Sequence, residues 1–171
     1  YDRNGNLLAY NELAYSVTIE DVYEASGKNE NLNATLYKLI HMIESNGDNI
    51  ISDFNIILNE NNDYEFTVEG TRLLRFKADV YGIRSTDSSD FKYYMKNASA
   101  QEIIDYLATR FKIGAYHEQE DGSKEFFLGE GYTKREILQL VTLRYQMNLY
   151  SFQKYIPTTV ATDVSLKTVA V

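Results

Sequence analysis

The chain has 171 residues, 44% of them hydrophobic and 25% charged, with 15 tyrosines and neither cysteine nor tryptophan. This is a globular composition, long enough for one domain, or one domain with a small lobe, to bury a core without staples. The net charge of −8 argues against a nucleic-acid partner or an anionic membrane surface, which need clustered Lys and Arg. The missing cysteines exclude a disulfide scaffold, a thiolate zinc site and a Cys nucleophile.

No stretch approaches the ~20 apolar residues that span a bilayer. The chain does not begin with Met and opens inside what reads as a strand. Both ends are therefore expected to be cut points in a longer protein.

Asn4-Gly5 is a turn pair, because both residues tolerate positive φ. With the alternating run Tyr15-Ser16-Val17-Thr18-Ile19, it predicts strands over residues 1–20. Leu32, Leu36, Leu39, Ile40 and Ile43 recur at helical spacing, which predicts a helix over 31–46 with Gly47 as its stop. Ile50 to Leu58 is apolar without clear period and fits a short helix or a strand. A polar loop, 59–63, precedes Tyr64, Phe66 and Val68, whose alternation predicts a half-buried strand. Thr71 to Tyr81 reads as a helix presenting Leu73, Leu74, Ala78 and Tyr81 on one side, followed by a Ser/Asp loop over 82–90.

Two capping boxes follow, Ser99-Ala100-Gln101-Glu102 and Thr133-Lys134-Arg135-Glu136. In each, a hydroxyl takes an orphan amide and a glutamate reaches back. The first opens a helix carrying Ile103, Ile104 and Leu107, with Gly114 expected to end it. The second opens a helix through Ile137, Leu140, Val141, Arg144, Tyr145 and Leu149. Between them, Asp121-Gly122-Ser123-Lys124 is a turn by composition. Tyr155 to Ala161 is extended, and a helix start is expected near Ser165. Pro157, the only proline, removes a ladder donor and assigns that strand to an edge or a bulge. Segregated strands and helices define an α+β class: small mixed sheets with several helices.

Candidate chemistry is sparse. Ser151-Phe152-Gln153-Lys154 matches S-x-x-K, in which Lys lies one helical turn after Ser and can activate its hydroxyl. The companion S-x-N is absent from the chain, and Lys167-Thr168 is followed by Val169, not Gly. The pair therefore reads as a surface coincidence. His41 and His117 are far apart in sequence and read as solvated side chains. Asn59, Asn61, Asp63 and Glu65 alternate like the start of a calcium loop, but Tyr64 stands where that loop needs Gly. Asn33-Ala34-Thr35 and Asn97-Ala98-Ser99 match the glycosylation sequon, which a bacterial origin would void. Tyr93, Tyr94, Tyr145, Tyr150 and Tyr155 fit either an aromatic binding face or the core and its rim. Catalytic, cofactor and metal residues are all read as none.

Asp2-Arg3-Asn4-Gly5, then Leu8-Ala9 and Tyr15-Ser16-Val17, resemble the segment just after the membrane anchor of class B penicillin-binding proteins. The family pattern there is Arg-Gly-x-Ile-x-Asp-Arg-x-Gly-x-x-Leu-Ala. Leu143-Arg144-Tyr145, Tyr155-Ile156-Pro157, Val160-Ala161, Val164-Ser165 and Val169-Ala170 resemble the family's stretch leading to the rest of its pedestal. Order and separation are similar to the elongation-type members of low-GC Gram-positive bacteria.

The resemblance implies a non-catalytic, elongated pedestal or dimerisation domain over 1–171. Residues 1–20 and 155–171 would form its base, and roughly 30–130 an inserted lobe. Asp2, Arg3 and Gly5 carry over as structural motif residues only. Implied partners are the parent's own serine transpeptidase domain, a multi-pass glycan polymerase and, in some members, a second copy. The membrane would enter only through an N-terminal anchor, at the extracytoplasmic face. The rival expectation is a free-standing extracellular domain that binds a small ligand or glycan. A physical expectation accompanies these: residues 1–20 pair near 155–162.

Overall fold

A computed structural model describes residues 14–20, 27–149 and 156–170. Its centre is three helices. In α1 (Lys28–Ser45), Leu32, Leu36, Ile40 and Ile43 recur every three or four residues and are all but fully buried. Gly47, at φ 88°, ends the helix as expected. Its amide donates to Glu44 O at 3.0 Å and the Asp48 amide to Ile43 O at 3.2 Å, so the last-turn carbonyls keep partners past the end of the helix.

Helix α4 (Ala100–Phe111) opens on the Ser99–Glu102 capping box. Helix α5 (Lys134–Leu149) opens on the Thr133–Glu136 box, with Thr133 N–H to Glu136 Oε2 at 2.7 Å and Glu136 N–H to Thr133 Oγ1 at 3.3 Å. Ile103, Ile104 and Leu107 of α4 and Leu140, Val141 and Leu143 of α5 join the α1 face in one core. The predicted α+β class holds, with small two-stranded antiparallel sheets around these helices.

The chain ends of the described region meet in a sheet. Strand β1 (Tyr15–Ile19) pairs antiparallel with β6 (Thr158–Val164), Tyr15 opposite Val164 and Ile19 opposite Thr158. This is the pairing expected from the sequence. Register shifts by one residue at Asp163, whose φ is 54°, and again at Val160. Such bulges bend and twist the strand. Pro157 lies just before β6, so its missing N–H costs no ladder bond. The second edge of β6 receives the Ile51 amide, which donates to Val160 O at 2.8 Å. The apolar run 50–58 forms no helix: it bends at Phe54 and Asn55, where the Phe54 amide donates to Ser52 O at 2.8 Å, and ends in β2 (Ile56–Leu58), paired with β3 (Tyr64–Phe66).

Three expectations need correction. In α2 (Gly70–Val80) Ala78 is buried and Leu73 packs against the core, as does Tyr81 just past its end, but Leu74 faces solvent and Phe76, Lys77 and Val80 are buried instead. The core face of the helix centres on Phe76, which stacks edge-on against Phe54, Phe66 and Tyr145 at 5.4, 6.3 and 6.3 Å. Helix α4 ends before Gly114. Lys112 takes the left-handed position, φ 57°, and Ile113 N–H closes onto Ala108 O at 2.9 Å. Gly114 instead begins β4 (Gly114–Glu118), where a Cβ would lie 2.2 Å from Phe127 O of β5 (Lys124–Leu128). The third is an omission: the β4–β5 hairpin around the 121–124 turn was not anticipated, nor was α3 (Tyr93–Asn97). The expected start near Ser165 opens α6 (Leu166–Val169).

Candidate interaction surface

The motif residues Asp2, Arg3 and Gly5, the pair Ser151 and Lys154, and Tyr150 and Tyr155 lie outside the described residues. The remaining candidates do not converge. His41 Nε2 sits 2.9 Å from Glu136 Oε1, with its ring against Tyr37, whereas His117 Nε2 sits 2.9 Å from Glu130 Oε1. Asn59 Oδ1 accepts the amides of Asn61 and Asp63, each at 3.0 Å, and Asn59 Nδ2 donates to Glu65 at 3.3 Å. That is an Asx turn between β2 and β3. Among the described residues, no group of three His, Asp or Glu side chains could hold a metal ion.

Two polar clusters hold the helices together. Asn33 is 2% exposed, and its Nδ2 donates to Phe111 O at 3.0 Å and Lys112 O at 2.9 Å. Its Oδ1 accepts from Arg144 Nη1 at 2.6 Å, while Nη2 of the same guanidinium donates to Asn29 Oδ1 at 2.6 Å. The guanidinium also lies 5.0 Å over the Phe111 ring. One buried amide therefore ties α1 to the carbonyl end of α4 and to α5. A glycan at this sequon has no room in the folded chain.

Asp48, just past α1, accepts from Ser165 N–H at 3.0 Å, from Ser165 Oγ at 2.8 Å and from the Thr168 hydroxyl. These donors, Thr168 foremost, hold its carboxyl below the ordinary carboxylate range. Asp48 thereby supplies the acceptor that the start of α6 requires.

The tyrosines divide. Tyr145 belongs to the core, and burial pushes its phenol up to about 12. Tyr93 and Tyr94 on α3 are 83% and 65% exposed. Tyr94 lies 6.5 Å from Tyr81, which is 4.6 Å from Tyr106. A tyrosine patch thus covers the meeting of α2, α3 and α4, with Tyr145 excluded from it. Beneath it, Lys77 is buried, with Nζ donating to Lys96 O at 3.0 Å and lying 5.0 Å over the Phe66 ring. Desolvation pushes its amine below the ordinary lysine value.

A second aromatic surface is the β4–β5 hairpin. Tyr116 opposes Phe126, and Ala115 opposes Phe127. Because side chains alternate across a strand, Tyr116, Phe126 and Leu128 share one face, and Phe127 stands on the other beside His117. Tyr116, Phe127 and Leu128 are 39%, 41% and 42% exposed.

Exposed tyrosine, exposed hairpin aromatics and open sheet edges are the chemistry of a protein-contact module. The model of the penicillin-binding protein dimerisation domain matches residues 1–171, and the chain belongs to that family. Comparison with curated proteins and with solved structures finds no match.

Proposed function

We propose that this chain is the non-catalytic spacer and interaction domain of a class B, elongation-type peptidoglycan D,D-transpeptidase from a Gram-positive bacterium. The observation that carries the reading is the family match across the whole chain. Its parent cross-links stem peptides through a serine outside this chain, at the extracytoplasmic face, held by an N-terminal anchor. The domain sets the height of the catalytic domain and offers surface to its own transpeptidase domain, to a multi-pass glycan polymerase and to a second copy.

The β1–β6 sheet supports a spacer role. It joins the first described strand to the last, so a load applied at one connection reaches the other through ladder hydrogen bonds rather than through a loop. The test is deletion of this domain from the full-length parent, with the anchor fused to the catalytic domain. The reading expects penicillin acylation of the purified protein to persist and peptidoglycan cross-linking in cells to fall. Unchanged cross-linking in cells would overturn it.

A further inference from the structure

We infer that the β4–β5 hairpin is a docking edge for a basic, strand-forming segment of another protein, in which apolar residues alternate with Lys or Arg. This rests on reading the chain as an interaction domain and names the surface and the chemistry of its partner.

Three observations meet on the hairpin. The first is its edges. Among the described residues β4 and β5 pair only with each other, so neither has a ladder partner on its outer edge. Exposed edges in folded proteins are normally blunted by charged side chains, lysine above all, by proline or by a bulge. Here the register runs unbroken from Gly114–Leu128 to Glu118–Lys124, the segment contains no proline, and Lys124 is its one lysine.

The second is apolar surface on both faces. Tyr116 and Leu128 project on one side and Phe127 on the other, each near 40% exposed (39%, 42% and 41%). A two-stranded hairpin is marginal alone, and a third strand supplies the burial it lacks. Strand addition yields main-chain hydrogen bonds for affinity and alternate side-chain contacts for specificity.

The third is charge. Between Gly114 and Glu130 stand Glu118, Glu120, Asp121, Glu125 and Glu130 against Lys124 alone. Two copies brought edge to edge would set these acids against each other, which disfavours self-pairing here. A strand carrying Lys or Arg at alternate positions meets the same acids favourably.

The experiment is amide-shift mapping on the isotope-labelled chain, titrated with a heptapeptide alternating Lys and Val, and separately with its Glu–Val counterpart. The expected result is Lys–Val shifts concentrated on residues 114–130 and weakened several-fold by ~0.5 M salt, where screening is nearly complete beyond a few ångströms. The Glu–Val peptide should leave the spectrum unchanged. Glu125→Lys should cut affinity at least tenfold. Glu60→Lys, an equal charge change on the exposed β2–β3 turn, should cut it less than twofold.

Shifts scattered over the acidic surface, equal effects of the two charge reversals, binding of the Glu–Val peptide, or no binding would each overturn the inference. So would the same hairpin shifts on concentrating the chain alone, which would assign the edge to a second copy. Any of these outcomes leaves the domain-deletion result in cells unaffected, so the two readings fail separately.

Discussion

Asn33→Ala should be among the most damaging single changes in this chain, although it touches no apolar contact. Asn33 closes three hydrogen bonds: two from its amide to Phe111 O and Lys112 O, and one accepted from Arg144. Two neutral bonds contribute about 1 kcal/mol each and one to a charged donor about 2, roughly 4 kcal/mol in all. For a domain of this size that corresponds to roughly 8–16 °C in Tm. Urea unfolding, with the m-value checked for constancy, reads the loss directly. Asn33→Asp should also destabilise, because a carboxylate oxygen would replace the donor facing two carbonyl oxygens. A cycle with Arg144→Met should show a coupling of about 1 kcal/mol or more. A loss under about 1 kcal/mol for Asn33→Ala, or strict additivity with Arg144→Met, would refute the account of this cluster.

The remaining predictions concern caps and protons. Lys112→Gly should stabilise the fold by about 1 kcal/mol, because the left-handed position at the end of α4 is strained for a residue with a Cβ; thermal unfolding measures the gain, and a lower Tm would contradict it. Asp48, Glu102 and Glu136 are all held below their ordinary values, by the Thr168 hydroxyl and by the Ser99 and Thr133 amides respectively as the largest causes. Their stabilisation is therefore complete above the unfolded value of about 4 and is lost as pH falls through the lower folded values. Asp48→Asn should flatten that acid limb in unfolding measured from pH 6 to 2, and an unaltered slope would count against it. Tyr64 and Tyr145 are pushed up to about 12 by burial. Their contribution is complete below about pH 10 and drains away between about 10 and 12 as the unfolded phenols ionise. Phenolate absorbance should show a late-titrating class that shrinks in Tyr145→Phe.

Features with a strong local signal were legible in the sequence. The face of α1, both capping boxes, the Gly47 stop and the 121–124 turn each depend on residues within a few positions of one another. The meeting of β1 with β6 was legible because both runs read as extended segments, although Pro157, expected within the second strand, lies just before it. The hairpin β4–β5 was not, for a reason tied to its use. A strand is recognised by one buried face, and Gly114-Ala115-Tyr116-His117-Glu118 leaves both faces partly open, so no alternation appears. Leu74 was misplaced on α2 and Phe76 overlooked, because spacing alone could not show that the Phe54, Phe66 and Tyr145 rings would gather around Phe76. Asn33 carried only its sequon as a signal. Its role depends on the carbonyl end of α4 and on Arg144, which are distant in sequence and meet it only in the fold.

The central claim is that this chain supplies contact surface and spacing while the acylated serine lies in another part of its parent. Intact-mass spectrometry of the purified chain after incubation with benzylpenicillin tests it most directly. The account predicts an unchanged mass, even at high drug concentration and long incubation. A stoichiometric adduct mapping to Ser151 or Ser89, the two serines with a lysine at the activating spacing (Lys154 and Lys92), would contradict it.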